Sequence, residues 1–206
     1  MDSVTDSLVH LTRNLIDIDS TSGRELEATT WLATWLRERN YHVIEQPVAD
    51  NRVNIIATID TNSPEVIFST HIDCVPPFFP SRVENDLLFG RGACDAKGIL
   101  AAELTALELL RARGENRVGL LVVVGEENGS HGARAANSFE QACRHLINGE
   151  PTDNRLASAT RGVYRVRLAS AGIAAHSSNP ELGNSAIEKL IDALVELRKI
   201  ELPSDK

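Results

Sequence analysis

Val66-Ile67-Phe68-Ser69-Thr70-His71-Ile72-Asp73-Cys74 decides how the chain folds. Its apolar start is β-branched and aromatic, with Asn62-Ser63-Pro64 before it and Pro76-Pro77 after it. A run of this kind, bounded by turn residues, predicts a buried strand. His71 and Asp73 then fall at the strand's C-terminal end, where open α/β sheets build their ligand sites. Three later stretches place acids in similar positions. They are Asp95 within Gly90-Arg91-Gly92-Ala93-Cys94-Asp95-Ala96-Lys97-Gly98, the pair Glu126-Glu127 after Val122-Val123-Val124, and Glu150 within Asn148-Gly149-Glu150-Pro151-Thr152. One imidazole and several carboxylates at successive strand ends make the ligand set of a zinc-type hydrolytic site.

Outward from this stretch, helix and strand patterns alternate. Helical spacing of apolar residues predicts helices over 4–18, 24–38, 97–112 and 184–199, and a short one over 131–143. Leu26, Trp31, Leu32, Trp35 and Leu36 fall on the buried face of the second helix, and the two tryptophans read as core. Ser20-Thr21-Ser22-Gly23 breaks the first helix and offers a cap for the second. Strands are expected over 41–45, 53–59, 86–89, 145–147, 156–160 and 163–168, with a turn at Asp60–Pro64. Val118–Val124 is apolar throughout, the mark of a central strand covered on both faces. The class is therefore α/β. Residues 162–206 hold a half-wet strand and a long helix without a partner strand, which reads as the start of a second unit.

With 206 residues and 42% hydrophobic content, the chain can bury a real core as one domain or one domain with an appendage. Its net charge of −8 argues against nucleic acid or an anionic membrane as partner. Cys74, Cys94 and Cys143 are too few for a disulfide framework, so a reducing, cytoplasmic setting is expected. No signal peptide is read at the N-terminus, and no run approaches the ~18 apolar residues of a membrane span.

Each chemical motif has a plain reading beside the functional one. His71 and Asp73 fit a metal-bound histidine oriented by a carboxylate, and equally a core histidine beside a loop aspartate. Asp95 fits a metal ligand or a helix N-cap. Glu126 and Glu127 repel each other at the end of a central strand unless a cation or proton relieves them. A hydrolase uses both, one as ligand and one as general base. Glu150 alone fits a surface turn, Cys74 and Cys94 read as small filler, and His176 alone is uninformative. His131 reads as a helix-start residue.

In this order the motifs resemble the dinuclear zinc family of aminoacylases and peptidases. That family includes acetylornithine deacetylase, succinyl-diaminopimelate desuccinylase, aminoacylase and glutamate carboxypeptidase. The matching pieces are Ser69–Asp73, Gly90–Gly98, Gly125-Glu126-Glu127-Asn128-Gly129-Ser130, Gly149–Thr152, Arg161-Gly162 and Ala175-His176-Ser177-Ser178. Gly149–Thr152 and Ala175–Ser178 look most like the acetylornithine deacetylase and desuccinylase branch. The resemblance implies a zinc-exopeptidase-like sandwich, with helices around a mostly parallel central sheet, over residues 1–161. It implies an incomplete α+β lid or dimerisation domain over 162–206. Asp95 would bridge two zinc ions, with cobalt an alternative metal. His71 and Glu150 would complete one site and Glu127 would serve the other. Glu126 would be the base, Asp73 would orient His71, and His176 would help hold the substrate's carbonyl oxygen. The implied substrate is a small N-acyl amino acid, and the implied partner a second copy or a complementing C-terminal chain. Family members are longer, and a second-site histidine near their C-terminus has no counterpart here. Weak or absent hydrolysis by this chain alone is therefore expected, and a non-catalytic piece that binds one metal is the alternative.

Overall fold

A computed structural model describes residues 2–49, 51–60, 64–138, 143–160 and 162–201. Contacts divide the chain into two units, Met1–Leu156 and Ala157–Lys206. Parts of the turn expected at Asp60–Pro64 and of the helix expected over 131–143 lie outside the described residues. So do Arg161 and residues 202–206.

The first unit opens with α1 (Asp2–Ile16) and α2 (Leu26–Arg37), followed by β1 (His42–Ala49) and β2 (Arg52–Thr58). Only two residues separate β1 from β2, too few for a crossover, so they pair antiparallel as a hairpin. β1 runs on through Pro47, where the register shifts. An edge strand tolerates this because its outer side owes no ladder hydrogen bond. β3 (Val66–His71) follows, then a small ribbon of β4 (Arg82–Glu84) and β5 (Leu87–Phe89), then α3 (Lys97–Ala112). β6 (Val118–Val123), α4 (His131–Ala136) and β7 (His145–Asn148) complete the unit.

The α/β architecture expected from the alternation holds, and the sheet is mixed. Its order is β1-β2-β6-β3-β7, with β2 antiparallel to β6, and β6, β3 and β7 mutually parallel. Strand alternation sets the two faces. Ile55, Ala57, Leu120 and Val122 share one core with Leu15 of α1, Leu32 and Leu36 of α2, and Leu100, Leu104 and Leu107 of α3. The opposite face, carrying Ile56 and Leu121, meets the short α4 at Ala136. Leu26 lies off the buried stripe of α2 and is exposed, unlike its expected place in the core.

The second unit departs from the sequence reading. Residues 156–160 and 163–168 belong to no strand. Their composition suits a strand, but pairing needs a neighbouring edge, and none of the described residues supplies one. An isolated antiparallel bridge joins Ile173 to Asn184. α5 (Ala186–Leu197) begins at Ser185, whose side chain accepts the Glu188 N–H at 3.2 Å. Its apolar stripe, with Ile187, Ile191 and Leu194, is exposed.

Leu104 is fully buried and Leu194 is 48% exposed. In urea unfolding, Leu104→Ala is expected to cost about 3 kcal/mol. Leu194→Ala is expected to stay within about 0.5 kcal/mol of the parent.

Candidate metal centre

The site is built where three parallel strands end together. β6 and β3 are aligned so that His71 stands opposite Val123, and the Ile72 N–H still bonds the Val123 carbonyl at 3.1 Å. Asp73 and the Gly125-Glu126-Glu127 turn therefore leave the sheet side by side. On the other side, β7 pairs Asn148 with Ser69. The Gly149 N–H then bonds the Ser69 carbonyl at 2.7 Å, and the Thr70 hydroxyl donates to the Gly149 carbonyl at 2.9 Å. Glu150 thus emerges beside His71. Asp95 arrives from the loop before α3, which folds on itself through Ala93 N–H to the Gly90 carbonyl and Lys97 N–H to the Gly92 carbonyl.

Donor atoms of His71, Asp95 and Glu150 all lie within 4.8 Å of one another. His71 Nε2 is 2.9 Å from Asp95 Oδ1. His71 Nδ1 is 2.9 Å from the Asp73 main-chain oxygen and 3.6 Å from Asp73 Oδ1. A proton on Nδ1 satisfies that side of the ring and leaves the Nε2 lone pair facing the carboxylates. The arrangement suits a hard or borderline cation. Beside it lies a cleft of about 280 Å³ lined by His71, Glu126 and Glu150, with Ser69, Asn137 and Asn148 among its walls.

The electrostatics also fit a cation. Burial alone would lower the His71 pKa, but hydrogen bonding and charge from Asp73, with Glu150 behind, push it up to about 9. Burial works against the Asp73 charge, yet bonds from His71, Ser22 and the Glu126 N–H hold its pKa below the ordinary carboxylate value. Glu127 is raised by burial and by the charges of Asp95, Glu126 and Asp73. Glu150 is raised by burial and by Asp95 and Glu126. These carboxylates oppose one another's ionisation, and a cation among them offsets the repulsion.

Residues 67–205 match the model of peptidase family M20/M25/M40. The chain belongs to this family. A probable carboxypeptidase of Aspergillus flavus is 37% identical over 218 aligned residues, covering 94% of this chain and 51% of that protein. A tripeptidase structure from Staphylococcus aureus superposes with TM-score 0.70 at 22% identity, covering 92% of this chain and 56% of that one. A Bacillus subtilis protein described as a dinuclear metal binding peptidase from the M20 family superposes with TM-score 0.55 at 19% identity, covering 72% of this chain and 43% of that one. The two structural likenesses are of fold. The M20 chain spans about half the length of the curated relatives it matches. The family is one of peptidases, which are hydrolases. The Aspergillus flavus relative is named a probable carboxypeptidase, where Gly149–Thr152 and Ala175–Ser178 suggested the acetylornithine deacetylase branch.

Of the residues expected in the site of this M20 chain, His71, Asp73, Asp95 and Glu150 come together as described. Glu126 and Glu127 are tied in through their backbone N–H groups, which donate to the Asp73 carboxylate at 2.9 and 3.2 Å. Glu127 is not among the three residues whose donor atoms cluster. His176 lies in the second unit, exposed, with Nδ1 accepting the Ser178 N–H at 3.2 Å. Cys74 is buried against main-chain carbonyls, as expected of filler, and Cys94 is exposed.

Two residues of the M20 chain carry weight that sequence reasoning did not assign. Lys97 is buried, and its ammonium donates to the Ile18 carbonyl at 2.6 Å, tying the Asp95 loop to the end of α1. Glu103 of α3 is 9% exposed, and neither carboxylate oxygen has a hydrogen-bond partner among the described residues. It stands four residues after Ile99, on the apolar stripe of the helix, which is the signal that could have found it. Burial, with the charge of Glu150, pushes its pKa up to about 8.

An acid whose pKa is raised on folding contributes stability at low pH and loses it as pH rises from the unfolded to the folded value. The metal-free chain is therefore expected to lose stability as pH rises from about 5 to about 8. Glu103→Gln is expected to flatten that slope and raise the melting temperature at the upper end by several degrees, read by thermal melts in chelator.

Proposed function

We propose that this chain carries the metal centre of a peptidase that hydrolyses an amide bond whose nitrogen belongs to an amino acid with a free α-carboxylate. A C-terminal peptide bond and the acyl bond of an N-acyl amino acid, such as N-acetylornithine, share that chemistry. The proposal therefore spans the carboxypeptidase name of the relatives and the deacylase suggested by the motifs. The observation that carries it is the convergence of His71, Asp95 and Glu150 donor atoms within 4.8 Å at the C-terminal edge of three parallel strands.

In this reading His71, Asp95 and Glu150 would hold one zinc ion, and Asp95 with Glu127 would contribute to a second. Zinc supplies Lewis acidity toward the amide carbonyl and the attacking water. Glu126, on the wall of the cleft, takes the proton of that water and returns it to the leaving nitrogen. Asp73 fixes the imidazole of His71 and holds the Glu126-Glu127 backbone. His176 would help hold the substrate's carbonyl oxygen. The three cysteines are free, in keeping with a reducing cytoplasm. Among the described helices none is long and apolar enough to cross a membrane.

For a second metal position the described residues offer Asp95 and Glu127, and the chain spans about half the length of the curated relatives it matches. Elemental analysis after zinc reconstitution and desalting is expected to give about one zinc per chain, lost in His71→Ala. A chain that stays folded and holds no zinc would overturn the assignment. Glu126→Gln is expected to keep the zinc while lowering hydrolysis of an N-acyl amino acid or a blocked dipeptide by about 10²-fold or more.

A further inference from the structure

Asp73 is fully buried, and three chain segments meet at its carboxylate. Oδ1 accepts the Glu126 N–H, and Oδ2 accepts both the Glu127 N–H and the hydroxyl of Ser22 at 2.8 Å. Ser22 comes from the loop between α1 and α2, far away in sequence and read from sequence only as a helix cap. That loop runs alongside residues 72–74. The Ser20 hydroxyl donates to the Ile72 carbonyl at 2.6 Å, the Cys74 N–H to the Ser20 carbonyl at 3.1 Å, and the Ser22 N–H to the Cys74 carbonyl at 3.0 Å.

The loop is itself anchored beneath the Glu126-Glu127 turn. Glu25 is fully buried; its Oε2 accepts the Gly23 N–H at 3.0 Å, and its Oε1 is 3.5 Å from Arg52 Nη1. Arg52 Nη1 would stand 2.9 Å from a Cβ placed on Gly125, whose φ of 68° lies in the left-handed region. Ser22 bonds Asp73, Asp73 bonds Glu126 and Glu127, and Glu25, ion-paired with Arg52 close to the Gly125 turn, bonds Gly23 beside Ser22.

We infer that Ser22 is a positioning residue for the metal centre, braced by the Glu25–Arg52 pair, which sets the Asp73 carboxylate and through it both His71 and the Glu126-Glu127 turn. The inference rests on the proposed function for its catalytic meaning, but its geometry can be tested without turnover. Removing the hydroxyl takes one of the donors from a buried carboxylate. Asp73 then rotates or admits water, and its grip on the two backbone N–H groups loosens.

The test compares the full chain with Ser22→Ala, Ser22→Thr and His71→Ala. Amide hydrogen exchange at Glu126 and Glu127 is expected to quicken about tenfold in Ser22→Ala, with exchange at Leu120 in the core unchanged. Affinity for zinc, measured by competition with a chelator, is expected to weaken roughly tenfold in the same variant. Ser22→Thr, which keeps a hydroxyl, is expected to restore both. If Ser22→Ala does not fold, Ser22→Cys, of similar size but a poor donor, is expected to shift both measurements in the same direction. Unchanged exchange and zinc affinity would overturn the inference. So would a general loss of protection that includes Leu120 and is not rescued by threonine. Zinc affinity untouched by His71→Ala would overturn the metal assignment instead, while exchange at Glu126 and Glu127 still decides the role of Ser22.

Discussion

The buried carboxylate of Asp73 is the constraint on which the rest of the first unit depends. It has no exposure to water, so its charge must be met by the protein. Ser22, the backbone N–H groups of Glu126 and Glu127, and the imidazole of His71 meet it from three different segments. Each donor alone is modest, but a buried charge left short of partners costs about 3–5 kcal/mol. The α1–α2 loop, the end of β3 and the end of β6 must therefore be in place together or not at all. The sheet brings β3 and β6 into register, and Asp73 carries that register beyond the last ladder bond into the loops where the chemistry is placed.

The same edge concentrates charge that does not help the fold. Glu127 and Glu150 are both pushed toward their neutral forms by burial and by their neighbours. Glu103, itself buried, adds a third acid, without a hydrogen-bond partner among the described residues. A chain selected for stability alone would not gather these groups. Their convergence on one imidazole makes sense if a cation offsets the repulsion, and the fold's large apolar core supplies the stability that tolerates it. Lys97 shows the same economy. Its buried ammonium fixes the loop that carries Asp95 to the end of α1 rather than entering the centre.

The second unit follows different physics. Its helix is well capped at Ser185, yet the apolar stripe of α5 is exposed and has little to pack against within the unit. Local propensity makes a helix from local hydrogen bonds, whereas a strand needs an edge from elsewhere. This is why α5 forms where helical spacing placed it, while residues 156–160 and 163–168, equally strand-like in composition, stay unpaired.

Much of the first unit was legible in the sequence. Helical spacing located α3 to the residue, and the unbroken apolar run of Val118–Val124 marked β6 as central, because side-chain period and burial are written locally. The candidate ligands His71, Asp95 and Glu150 could be named because acids and an imidazole at strand ends are chemically conspicuous. What the sequence could not show was which distant groups satisfy them. Ser22 lies in a stretch that offers a helix cap, and nothing local singles out Arg52 or Glu25. Their roles arise only when β3, β6 and β7 align and the α1–α2 loop closes over Asp73. The sequence by itself determined the element types and the chemistry available, because those follow from local periodicity and side-chain identity. Tertiary structure decided which carboxylates are buried and what holds them, because desolvation and hydrogen-bond partners depend on segments that meet only in the folded chain.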